Sequence, residues 1–77
     1  MKEYFQIVGK ITYIPLETGF WGIITEDNKK YLPLQGLPAN FQKEGLQIKA
    51  IVSPSTDLSY FMWGRPVEIK QIELLKG

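Results

Sequence analysis

Between Phe5 and Tyr13 the odd positions Phe5, Ile7, Ile11 and Tyr13 are apolar, whereas the even ones include Gln6, Lys10 and Thr12. A period of two over this length predicts a long strand with one face inward. Gly9 falls on that inward face, where a missing side chain predicts a bend or bulge as the strand coils around a barrel. Pro15 cannot donate to a ladder, so Pro15-Leu16-Glu17-Thr18-Gly19 reads as the first loop. Phe20 to Thr25, rich in aromatic and β-branched residues, is a second strand. Glu26-Asp27-Asn28-Lys29 reads as a turn, with Asp27 and Asn28 tolerant of positive φ. Lys30 to Leu34 returns as a third strand, and Pro33 inside it marks an edge or a strand end.

The next segment changes character. Pro38 suits a first helical position and Gly45 the residue past a helix end, so one or two helical turns are expected, with Leu37 and Phe41 plugging a barrel end. Leu46, Ile48, Ala50 and Val52 alternate with Gln47, Lys49 and Ser53, giving a fourth strand. A polar loop from Pro54 to Leu58 leads into the aromatic run Tyr60-Phe61-Met62-Trp63, ended by Gly64. In the last strand the apolar phase slips from Val67 and Ile69 to Ile72 and Leu74, as a bulge would make it do. Three strands, a short helical turn and two strands predict an all-β, five-stranded Greek-key barrel of OB-like type, one domain over residues 1–77. An SH3-like barrel is the alternative, disfavoured by the helical turn between strands three and four.

Composition narrows the chemistry. The chain has no cysteine and no histidine, which removes thiolate nucleophiles, disulfides, the commonest zinc ligands and the commonest general base. Nine Lys and Arg against eight Asp and Glu leave a formal charge of +1, too little for a long-range field toward nucleic acid or an anionic membrane. Met1 to Gln6 lacks the apolar stretch of a signal peptide, and no apolar run approaches the ~20 residues that span a bilayer. A cytoplasmic protein without membrane contact is therefore expected. In so small a domain most large apolar side chains must be core, which leaves few for function.

Several short motifs occur together: Gly19-Phe20-Trp21-Gly22-Ile23-Ile24, Tyr31-Leu32-Pro33-Leu34, Leu37-Pro38 with Phe41, Gly45-Leu46, and Met62-Trp63-Gly64 with Val67-Glu68-Ile69. From about Gly9 to Ile72 this set resembles a family of small uncharacterised OB-like domains. The resemblance implies a compact OB-like barrel. It carries no activity and no catalytic residue with it.

The two Trp-Gly pairs are the most distinctive local feature. Read as a ligand surface, Trp21, Tyr31, Tyr60 and Trp63 form a stacking platform, worth ~1–3 kcal/mol per base where proteins use one. Read as architecture, each glycine admits a neighbouring strand while the indole seals the barrel. Lys29 and Lys30 beside Tyr31, with Lys10 and Arg65 elsewhere, add a basic patch among these aromatics, while Glu17, Glu26 and Asp27 offset it. Glu26 and Asp27 are adjacent carboxylates at a turn tip, where neither acid–base pairing nor desolvation is expected, so no enzyme, metal or cofactor is predicted. The expected function is that of a non-enzymatic binding or interaction module. It would meet a protein partner or another copy of itself through an edge strand or the aromatic loop. The alternative is a single-stranded nucleic-acid or oligosaccharide binder on the face of strands two and three, with Trp21, Lys30, Tyr31, Tyr60, Trp63 and Arg65 as candidate contacts.

Overall fold

Alternation alone carries the first strand. In the computed structural model, which describes residues 3–16, 18–55 and 63–75, β1 (Phe5–Ile14) buries Ile7, Gly9 and Ile11 and exposes Gln6 and Lys10. It is followed by β2 (Phe20–Thr25), β3 (Lys30–Pro33), a single 3-10 turn (Ala39–Phe41), β4 (Gln47–Pro54) and β5 (Arg65–Leu74). The strands close into a barrel in the order β1-β2-β3-β5-β4. All neighbours are antiparallel except β3 and β5. A meander of the SH3-like kind would place β4 beside β3; here β5 lies there, which is the Greek-key order of an OB-like barrel.

Gly9 is where β1 changes partner. Residues Phe5–Lys10 pair with β4 and Gly9–Ile14 with β2, so Gly9 faces both Ile48 and Thr25. A Cβ on Gly9 would lie 2.5 Å from the Ile24 carbonyl oxygen, closer than real Cβ atoms come to any backbone atom. Only glycine lets β2 approach so tightly at the bend. Beyond Lys10 the ladder of β1 continues on other groups. Ile11 N donates to Leu46 O at 2.9 Å, and Gly45 N donates to Ile11 O at 2.7 Å. Tyr13 N then donates to the Glu44 carboxylate, Oε1, at 2.8 Å.

The phase slip in the last strand is real. Ile51 pairs with Gln71 but Val52 with Ile69, which leaves Lys70 as the extra residue of a β-bulge. Ile69 before the bulge and Ile72 after it both pack on the core in consequence. That core joins Ile7, Ile11, Ile23, Ile48, Val52 and Val67 from all the strands but β3, which gives Tyr31; Leu37 and Phe41 enter from the turn segment. The helical segment is a single 3-10 turn, within the one or two turns expected. Pro38 precedes it as the N-cap, and Gly45, at φ 80°, belongs to the following turn.

Two expectations are corrected here. The third strand is no edge: β2 holds one side of β3 and β5 the other, and buried Pro33 merely ends it, after which Leu34 N donates to Val67 O at 3.0 Å. Tyr13, although in phase with the inward residues, is 44% exposed because it lies beyond the point where the barrel wall encloses β1. Among the described residues no helix is long and apolar enough to cross a membrane.

Candidate ligand-binding face

With Ile11, Ile23 and Tyr31 turned inward, the intervening residues of β1, β2 and β3 form the outer face of the same three strands. The register arranges them in rows. Lys10 stands opposite Ile24, which stands opposite Lys30; Thr12 is opposite Gly22, and Ile14 opposite Phe20. Trp63, arriving from the segment between β4 and β5, lies across this face. The six-membered ring of its indole covers Gly22, so that a Cβ there would fall 2.2 Å from Cη2. Phe20 meets the indole edge-on, with centroids 5.6 Å apart, and the Lys30 ammonium stands 5.9 Å from the ring centre.

The chain just after Trp63 explains its placement. Gly64 has φ 72°, and a Cβ on it would lie 2.9 Å from the Lys30 carbonyl oxygen. This glycine therefore presses directly on β3, and Arg65 enters the parallel pairing opposite Tyr31. The indole is carried over the neighbouring strand by that close approach.

Further along the same face, reached through Ile24 two residues from Gly22 on β2, a groove of about 560 Å³ runs between the β2–β3 hairpin and the segment leading into β4. Lys10, Thr12 and Ile24 belong both to this groove and to the outer face, while Glu26, Asn28 and Glu44 line its sides. Glu44 is held below the usual carboxylate range, first by the Tyr13 amide and then by the Thr12 hydroxyl, so it stays ionised. At the hairpin, Asn28 adopts φ 64° and its amide donates to Thr25 O at 2.9 Å. Asp27 accepts from the Thr25 hydroxyl and pairs with Lys29 at 3.6 Å. These contacts lower its pKa, the Thr25 bond foremost, which is the opposite of what a general acid needs.

The residues expected at a ligand surface are divided by the fold. Lys30, Trp63 and Arg65 come together around the start of β3. Trp21 does not join them, because it alternates with Gly22 and so lies on the other side of β2. There it packs against the core and edge-on to its cross-strand partner Tyr13, with centroids 5.2 Å apart. Tyr31 is corrected outright: only 6% exposed, it is a core residue whose ring stands 6.0 Å from that of Phe5. Tyr60, with the rest of the run before Trp63, lies outside the described residues. Lys10, expected in a basic patch, does lie on this face, whereas Phe20, Gly22 and Thr12 are contributors that sequence reading did not single out as contacts. The period-two spacing of Phe20 and Gly22 was a usable signal for them; nothing local pointed to Glu44.

Barrel and face together define a small OB-like domain with an aromatic, mixed-charge surface on three strands. Comparison with protein-family models, with characterised proteins and with solved structures finds no match to this chain.

Proposed function

We propose that the chain is a non-enzymatic binding module of the OB-fold kind, whose ligand lies along the outer face of β1, β2 and β3 against Trp63. The observation that carries this reading is the indole laid over Gly22 between Phe20 and Lys30. An aromatic side chain fixed on a sheet face and flanked by a cation, with a groove further along the same strands, offers stacking and polar contacts at once. The same strands and the loop before β5 are where OB-type barrels generally take oligomeric ligands. Docking through a free third strand loses its support, since both sides of β3 are already paired.

The test is a titration of the isotope-labelled protein with single-stranded DNA, single-stranded RNA and oligosaccharides, following backbone amides and the two indole N–H signals. Shifts gathered on Trp63, Gly22 and Lys30, abolished in a folded Trp63→Ala variant, are the expected result. Shifts confined to β4 and β5, or none with any ligand at millimolar concentration, would refute the proposal.

A further inference from the structure

Resting on that reading, we infer that the ligand is a neutral oligosaccharide, seated with one ring unit in the groove beside Lys10 and the next against Trp63. The groove's polar groups decide the class. Glu26 and Glu44 bring carboxylates, Asn28 and Gln47 bring side-chain amides, Thr12 a hydroxyl, and Lys10 the cation. A phosphate polymer presents acceptors and negative charge along its backbone, so it needs donors and cations in excess. Among the described residues of the groove and the indole face, two carboxylates, Glu26 and Glu44, stand against two ammonium groups, Lys10 and Lys30, so cations are not in excess. Sugar hydroxyls both donate and accept, and can satisfy carboxylate and amide oxygens while leaving Lys10 an acceptor.

Glu44 strengthens the argument. Its carboxylate has about four acceptor positions, of which the Tyr13 amide and the Thr12 hydroxyl take two. The remainder face solvent, where a hydroxyl donor of a ligand can replace water. The whole chain, at +1, supplies no field that would offset this local balance for a polyanion. The spacing sets the length of the ligand. Ile24, in the groove, and Gly22, under the indole, are two residues apart on β2, about 7 Å. A single sugar ring cannot cover both, whereas two or more linked rings can, with an apolar ring face on Trp63.

The experiment uses cello-, chito- and malto-oligosaccharides against oligo-dT, each at low and high salt. At least one neutral sugar is expected to shift the amides of Lys10, Ile24 and Asn28 and the Trp63 indole, with an affinity that salt leaves unchanged. Glu26→Lys, on the exposed hairpin, is expected to weaken that binding about tenfold or more, as loss of hydrogen bonds to a charged group does, without moving the melting temperature. If oligo-dT alone shifts these signals, salt-sensitively and more tightly in Glu26→Lys, the sugar assignment falls while the binding face stands. If no probe shifts them, both fall.

Discussion

The indole of Trp63 occupies the volume that any side chain larger than hydrogen would need at Gly22. A Cβ at that position meets Cη2 at 2.2 Å and Cζ3 at 2.4 Å. The two residues are far apart in sequence, and the contact joins the last loop of the barrel to its second strand. Gly22→Ala should therefore push the ring off the face and part it from Phe20. The expected cost is about 1–3 kcal/mol, typical of overpacking, with a red shift in tryptophan emission. Denaturant unfolding and fluorescence check both; an unchanged spectrum would contradict the placement of Trp63.

At Gly9 the obstruction is main chain, and main chain cannot step aside. Gly9→Ala brings a methyl to 2.5 Å from the Ile24 carbonyl oxygen and 2.9 Å from its carbon. The loss of stability should exceed that at Gly22, at about 3 kcal/mol or more. Comparing urea midpoints of the two alanine variants tests the ranking.

Tyr31 and Trp63 offer a contrast between architecture and ligand contact. Tyr31→Ala empties a core position and should cost about 3–5 kcal/mol, as large aromatic truncations do. Trp63→Ala removes a half-buried ring from the outer face and should cost less than about 2 kcal/mol. Binding at the face should disappear in the second variant while the fold persists. Equal melting temperatures for the two would contradict this division.

Glu44 predicts a pH dependence whose direction follows from its lowered pKa. Above the ordinary value of 4.5 the carboxylate is charged in folded and unfolded chains alike, and the bond to the Tyr13 amide contributes fully. As pH falls below 4.5 the unfolded chain takes up its proton first, and the contribution is lost as pH passes through the lower folded value. Asp27 acts in the same sense from its ordinary 3.8, through the Thr25 hydroxyl. The amide shift of Tyr13 followed against pH should titrate with a midpoint below 4.5. Glu44→Gln should flatten the curve, and a midpoint at or above 4.5 would speak against the bond.

Much of the barrel could be read from alternation, because a period of two records which face each residue turns inward. Phe20–Thr25 emerged with its observed bounds, and the slip of phase after Ile69 located the bulge now seen at Lys70. Closure was harder to read. Pro33 signals a strand end and an edge in the same way, and only the parallel partner β5, far along the chain, tells them apart. Tyr31 misled because a phenol beside two lysines resembles a surface aromatic, while its register opposite Ile23 turns it inward. The separation of Trp21 from Trp63 follows from alternation on one strand but also needs the path of the chain through Gly64. Glu44 left no trace in the pattern, since a carboxylate standing in for a strand carbonyl depends on tertiary distance alone.

The parallel seam between β3 and β5 has a kinetic corollary. Tyr31–Pro33 meet Arg65–Val67 through three register pairs, whereas the hairpin β2–β3 joins strands that are nearly adjacent in the chain. Closing so long a loop costs entropy before any contact rewards it, which places β-barrels of this kind among the slower folders, in milliseconds to seconds. The hairpins can zip early, and the seam must wait for both halves to meet. With three register pairs against six between β1 and β4, it is the shorter of the two ladders that close over long loops, and its amides should exchange with solvent ahead of those buried along β1.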